Sequence, residues 1–596
     1  MFPLLLLIPI ALSLAAVLLS RNSMGLRYVA VGGSIASFAL LYFVSYGTVT
    51  IPWFTAGSFA FNITTTIAPL NLALLGTVLF IGSLVMVYSS GFMSTLSEQR
   101  RFYAEMLAFE ISMCAFAMSG NFVLLFISWE FMSLTSYLLI GFWHGRERAV
   151  RSSRLAVTIV LMGDIALLAA IAVFLNLFGT LGFSGILAAL PAHASPQLYL
   201  GALLLVVAVL TKSAQFPFQE WLPDAMEGPT PVSAFLHSTT MVKAGVFLAI
   251  ILYPLLYRAG VTPVIMTFAV VTAAISTVSA MRSRHVKRVI AYSTIQELSL
   301  MLVAVSGGAL FAAIYFFLVQ SLYKALLFFS AGSIMKATDE EGLDRISGLG
   351  INKVLYISTL IGVLSLAGFF PLSGFFAAAS TGGAFSQNLV IYAIISLIGL
   401  ATSFYIFRWF LLVSKPASAE ATALRYLGQP RSMLFPIVIL ACLTAFASVF
   451  VVFLNSFLAG GYGWSTYLAS GMPISISLQD GIIVMALALV GAAASYLVYK
   501  RRSRAPAQGK SVSLAAAHRR GAFALLYILS ASFLYDLGEG VALFESYLNG
   551  MFDYLGHLLV LSASRLRRMS VGAINPYAFI FAVSAILLLA YALLVI

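Results

Sequence analysis

Six ionisable side chains, Glu130, Asp164, Lys212, His237, Lys243 and Lys324, fall inside apolar runs of the sequence rather than between them. A charge at mid-bilayer costs roughly 2.5–3.5 kcal/mol on insertion scales, so such residues face protein or water, are ordinarily paired, and mark a functional path by default. Carboxylates, ammonium groups and an imidazole spread through apolar surroundings have one chemistry in common, the uptake and release of protons. Burial and a neighbouring charge are the two forces that tune it.

Lys212 stands five residues before Pro217 in "TKSAQFPFQEWLPDAMEGPTPVSAFLHSTTMVKAG". The proline ring removes a backbone donor and displaces the carbonyl of Ser213. The helix must therefore open just after Lys212, and its freed polar groups need water or protein partners. Glu130 and Lys212 admit two readings. One is a static ion pair that fixes helix packing and gains roughly 4 kcal/mol at about 4 Å and an effective dielectric near 20. The other is a pair whose lysine releases its proton when the carboxylate moves or is neutralised, and the opened helix favours it.

His237 and Lys243 are six residues apart, about 9 Å along a helix axis, with hydroxyls at Ser238, Thr239 and Thr240 between them. A single buried histidine is ordinarily a satisfied structural residue. Two basic groups with hydroxyls between them in one lipid-length segment favour a water-bridged relay. No second histidine or carboxylate has ligand spacing around His237, so no metal is expected. A second helix break is expected at "SLAGFFPLSGFFAAAS", through Gly368, Pro371 and Gly374, 154 residues after Pro217 and five spans later. An odd number of spans inverts the second unit relative to the first, which is the architecture of inverted repeats with discontinuous helices. Lys324 lies between the breaks, either linking them or resting on helix carbonyls.

The elements that must position these groups are transmembrane helices. Of the residues, 61% are hydrophobic and 9% charged. Apolar stretches long enough to cross a bilayer fall near 2–20, 28–46, 66–90, 104–119, 121–142, 155–177, 198–216, 231–257, 262–281, 289–306, 308–335, 354–377, 387–413, 433–457, 480–499 and 575–595. With the N-terminus outside, the inner loops hold 28 of the 33 basic residues and the outer loops only Arg258. That asymmetry fits the positive-inside rule and puts both termini on the outer side of the cell membrane. The net charge of +13 then reflects topology and anionic lipid, and nucleic acid need not be invoked. Arg408, near the inner end of its span, reads as a snorkelling anchor. Cys114 and Cys442 both lie in apolar runs, against a disulfide framework or a thiolate site.

"LTKSAQFPFQEWLPDAMEGPTPVSAFLHSTTMVKAGVFL", "VKRVIAYSTI", "YKALLFFSAGS" and "SWEFMSLTSYLLIGF" closely resemble the antiporter-like subunits of respiratory complex I, the multisubunit sodium/proton antiporters and the membrane-bound hydrogenases, over roughly residues 60–415. The C-terminal part resembles the lateral helix and final anchor of the distal complex I subunits, chain L or chain 5; an interfacial helix without a partner is the other reading there. The resemblance implies an all-α polytopic protein of about sixteen spans. Its N-terminal helices would occupy 1–103, a first antiporter-like repeat 104–257 and a second, inverted repeat 258–415. Further helices and a basic loop would fill 416–518, a lateral amphipathic helix 519–574 and an anchor 575–596.

It also implies roles. Glu130 and Lys212 match the coupled pair, Lys324 the central polar axis, His237 its lining, and Asp164 an acidic position, with Leu161 where an arginine is expected one turn earlier. Lys243 stands where chain L often has threonine and sister subunits have lysine. Gln320 replaces the usual histidine, and Ala378 replaces a lysine or glutamate beyond the second break. No acidic or basic residue falls between Val354 and Gln387. With neither a glycine-rich dinucleotide fingerprint nor a cysteine cluster, no cofactor is expected. The implied role is a proton-translocating membrane-arm subunit of a complex I-like quinone oxidoreductase, with redox and quinone chemistry in partner subunits. The alternatives are a subunit of a cation/proton antiporter or hydrogenase, and a structural homologue that does not pump.

Overall fold

A computed structural model describes residues 3–502 apart from 21–24, 57–58, 95–97, 417–419, 450, 452, 455–456 and 458–476. The helices in chain order are α1 (Ile8–Leu19), α2 (Leu26–Leu40), α3 (Pro69–Phe92), α4 (Gln99–Ala117), α5 (Phe122–Ile140), α6 (Glu147–Phe178) and α7 (Phe183–Ala188). Next come α8 (Pro196–Lys212), α9 (Trp221–Asp224), α10 (Thr230–Ser238), α11 (Met241–Ile251), α12 (Tyr253–Arg258), α13 (Thr262–Arg282), α14 (Val286–Ser306) and α15 (Leu310–Thr338). The rest are α16 (Lys353–Leu366), α17 (Ser373–Gly383), α18 (Leu389–Val413), α19 (Glu420–Leu427), α20 (Arg431–Phe446) and α21 (Leu478–Arg502). Every expected span from residue 2 to residue 499 overlaps a helix. The sixteenth span, the lateral helix at 519–574 and the basic loop beyond residue 502 lie outside the described residues.

Local chemistry sets the helix starts. Asn121, Ser195, Asn352 and Asn388 each accept the N–H three residues on, which satisfies a donor that the first turn leaves free. Among the described residues, eleven helical segments, with Thr230–Ile251 taken as one, are long and apolar enough to cross a membrane. Every residue of Thr230–Ile251 is buried, α14 and α15 are almost wholly so, and α2, α18 and α21 are the least covered. His237, Lys243, Glu297 and Lys324 therefore sit on the innermost helices, where snorkelling to an interface is closed to them.

Among the described residues, three breaks bear on the buried charges. The first follows Lys212, where α8 ends and the chain passes Ala214 in a left-handed conformation and Pro217 before α9. The second separates α16 from α17, with Gly368 at φ +81°. There Gly374 packs so tightly on the Ser365 carbonyl that a Cβ would overlap it. The third falls inside the span expected at 231–257: α10 stops at Ser238 and α11 begins at Met241. Ser238 Oγ donates to Ala234 O, and Thr240 Oγ1 donates to Phe235 O (2.6 Å). Hydroxyls that bond nearby carbonyls offer the backbone an alternative to the helix ladder. The 9 Å axial spacing expected between His237 and Lys243 thus does not apply.

An antiparallel hairpin, β1 (Gly47–Ala56) and β2 (Phe59–Ile67), also went unread, although "TVTI" and "NITTTI" alternate with the two-residue period of a strand. It bridges to Ser119, and Asn121 donates to Asn62 O (2.6 Å). Loops expected to share a side meet one another. At the basic end, Lys336 donates to Gly91 O (2.8 Å), Arg284 lies 3.9 Å from Asp344, and Gly348 N donates to Lys415 O (2.6 Å).

Candidate functional site

The first charged group is built by α5, α6 and α8. Lys212 Nζ lies 3.8 Å from Asp164 Oδ1, donates to Ser133 Oγ (2.5 Å), and stands 4.5 Å from the centre of the Trp129 ring. Trp129 Nε1 donates to Asp164 Oδ1 (2.6 Å), and Ser133 Oγ donates to Asp164 Oδ2 (3.2 Å). Ser133 and Trp129 are one turn apart on α5, so one helix face holds both the acid and the base. Glu130 is buried and its charge also acts on Lys212. The expected Glu130–Lys212 partnership is therefore wider than a pair: Asp164, expected only as an acidic position on the path, stands at ion-pair distance from Lys212. Gly163 makes the approach possible, since a Cβ there would overlap Thr211 Oγ1 on α8.

The second group lies on α11, α14 and α15. Lys324 Nζ stands 2.8 Å from Glu297 Oε2 and donates to Ser293 Oγ. Glu297 also accepts from Tyr323 Oη (2.8 Å) and Gln320 Nε2 (3.2 Å). Gln320, in the place of an expected histidine, thus still contacts the central acid. Lys243 Nζ donates to Phe317 O (2.5 Å) and to Ser321 Oγ, and the charges of Glu297 and Lys324 both act on it. Support by a helix carbonyl, weighed for Lys324, is instead the arrangement at Lys243.

His237 joins neither group by direct contact. Its ring centre is 6.0 Å from that of Trp221, and the charge acting on it is that of Lys287. Lys287, in the first turn of α14, is buried and donates to Gly228 O (2.9 Å). Neither ring nitrogen of His237 has a hydrogen-bond partner among the described residues, and the same holds for Ser213 Oγ, Gln215 Oε1 and Gln219 Oε1 around the first break. Buried polar atoms in that state are ordinarily satisfied by water.

Sequence reasoning missed Glu297 and Glu110. The latter is fully buried on α4 and accepts from Ser34 Oγ (2.6 Å). The signal that singled out Glu130, an acid inside an apolar run, applies to both. Arg408 does more than anchor: its guanidinium donates to Met281 O and Ser283 O and so ties α18 to the end of α13. Among the described residues, no group of three or more histidine, cysteine or acidic side chains is placed to hold a metal ion.

A bundle of membrane-crossing helices with charges buried at its broken centre defines a polytopic membrane protein of the antiporter-like fold. Residues 119–405 match the family described as "NADH:quinone oxidoreductase/Mrp antiporter, TM", and residues 53–103 that described as "NADH-Ubiquinone oxidoreductase (complex I), chain 5 N-terminus". NADH-quinone oxidoreductase subunit L of Mycobacterium tuberculosis H37Rv is 30% identical over 564 residues, 91% of this chain and 88% of that protein. A Na(+)/H(+) antiporter subunit of Alkalihalophilus pseudofirmus is 34% identical over 353 residues, 54% of this chain and 44% of its own length. A chain of the Mrp complex from Dietzia sp. DQ12-45-1b shares the fold at a TM-score of 0.73 and 24% identity, over 98% of this chain and 65% of that one. The chain belongs to the NADH:quinone oxidoreductase/Mrp antiporter family of membrane proteins. It spans less than half of the Alkalihalophilus protein and just under two thirds of the Mrp chain.

Proposed function

We propose that this chain moves protons across the membrane as a membrane-arm subunit of a complex I-like quinone oxidoreductase, driven by electron transfer in partner subunits. The observation that carries the reading is the placement of two carboxylate–lysine groups, Asp164–Lys212 and Glu297–Lys324, with Lys243 beside the second, on buried faces of broken and innermost helices. A lysine in such a group holds its proton while the acid beside it is charged. Neutralising both Asp164 and Glu130 leaves the Lys212 ammonium with a hydroxyl, a carbonyl and a ring face, too little to offset desolvation. The proton then leaves, and the next group responds to the changed field. Moving one charge against 100 mV requires about 2.3 kcal/mol, within reach of couplings near 4 kcal/mol at these separations.

In this scheme Lys287 and His237 form the way in from the basic end, which is the inner side. Residues 104–257 and 258–415 are the two inverted units, both termini face outward, and quinone and the electron donor, NADH or another, are bound elsewhere in the assembly. The decisive experiment is Lys212→Ala in the intact assembly reconstituted in liposomes. A fall in protons moved per electron supports the proposal; an unchanged ratio rejects it and leaves a structural role. The likeness to the Alkalihalophilus antiporter protein supports a second reading, cation/proton exchange. It requires proton flux that depends on sodium and persists without electron transfer.

A further inference from the structure

No acidic or basic residue lies between Val354 and Gln387, and α17 brings no titratable group of its own beyond the second break. The fold brings one from another helix. A cavity of about 70 Å³ opens among α14, α15, α17, α18 and α21, lined by Glu297, Tyr323, Ala378, Thr381, Tyr392 and Asp480 among others. At 10–15 Å³ each it has room for several waters. Thr381 Oγ1 is buried on this wall without a hydrogen-bond partner among the described residues, a state that water ordinarily relieves. Asp480 is only 6% exposed. Its carboxylate accepts from Tyr392 Oη (2.9 Å) and from Ser477 Oγ (2.5 Å).

Part of this is a helix cap, because Ser477 Oγ also accepts from Asp480 N (3.0 Å) in the reciprocal pattern that starts a helix. A cap does not require a tyrosine from a different helix, nor a place on a water-sized cavity shared with the acid that holds Lys324.

Resting on the proton-transfer reading above, we propose that Asp480 is a terminal proton-exchanging group of this chain, joined to the Glu297–Lys324 pair through the cavity. The Lys324 ammonium gives its proton to Glu297, 2.8 Å away on the cavity wall; Glu297 passes it to water in the cavity, and the Asp480 carboxylate takes up a proton from that water. The resulting acid releases it to the aqueous phase at the end opposite the basic loops, with no electron transferred. Tyr392 holds the carboxylate in place.

The test uses the intact assembly in liposomes with a pH-sensitive dye. Asp480→Asn keeps an acceptor for Tyr392 and Ser477 but cannot exchange a proton; it is expected to lower the rate at least tenfold. Asp480→Glu is expected to retain most of the rate, and adding Ala378→Glu to Asp480→Asn to recover part of it. A wild-type rate in Asp480→Asn, with Lys212→Ala inactive, overturns the role of Asp480 alone. Wild-type rates in both overturn the parent reading as well. Should Asp480→Asn fail to assemble, Ala378→Cys in a Cys442→Ser background decides. Modification by a membrane-impermeant thiol reagent from the outer side supports the hydrated route, and no modification rejects it.

Discussion

Glu297 Oε2 stands 2.8 Å from Lys324 Nζ, and the same carboxylate accepts from Tyr323 and Gln320. Positions 320, 323 and 324 share one face of α15, so a single acid on α14 organises three side chains of its neighbour. Glu297→Gln removes the charge and leaves the Lys324 ammonium buried with the Ser293 hydroxyl. Breaking a buried pair from one side costs about 3–5 kcal/mol. Thermal unfolding in detergent is expected to show that loss, and proton transport to fall at least tenfold.

Stability and transport separate at the other pair. Asp164→Leu alone leaves Lys212 with Glu130 as the remaining acid acting on it and destabilises by up to about 3–5 kcal/mol, whereas Asp164→Leu with Lys212→Met replaces both charges by apolar groups and recovers most of it. The double variant is expected to assemble and melt near the wild type and to move no protons. Transport by it would show that the pair only holds the helices together.

Gly163 sets the distance between α6 and α8, its missing side chain leaving room for Thr211. Gly163→Val overpacks this contact at a cost of about 1–3 kcal/mol and draws Asp164 away from Lys212. Transport is expected to drop several-fold with assembly retained. Thr211→Ala in the same chain is expected to restore part of it.

At the basic end, His285 Nε2 donates to Glu341 Oε2 (3.1 Å) while its Nδ1 accepts from Lys287 N (3.2 Å), which fixes the tautomer. The hydrogen bond from His285 holds the Glu341 carboxyl at about 2, below its ordinary 4.5. Since the folded value is the lower, the contact stabilises fully above pH 4.5 and is lost as pH falls towards 2. Both groups are partly exposed, so it is worth under about 1 kcal/mol. Proteolysis of the 339–352 loop is expected to speed up over that range in the wild type and to show little pH dependence of this origin in Glu341→Gln.

The helices and two of their breaks were legible because hydropathy and proline act locally: Pro217 and Pro371 announce the places where α8 ends and α17 must begin anew. Lys212 and Lys324 were legible as charges in apolar runs. What escaped depends on neighbours distant in sequence. Asp164 comes to 3.8 Å from Lys212 through the geometry of α5, α6 and α8, and Asp480 reaches its cavity by the packing of α21 on α17 and α18. The break at Thr239–Thr240 has no proline or glycine to mark it, only hydroxyls whose bonds become clear once the backbone is placed.

That hydroxyl-made interruption frees the rotational phase of what would otherwise be one rod. At 100° per residue, a continuous helix would fix His237 and Lys243 about 120° apart in azimuth, whatever their surroundings. Uncoupled, each half takes the bearing its own neighbours set, Trp221 for one and the Phe317–Ser321 turn for the other. The bearing of one half is thus set independently of the other.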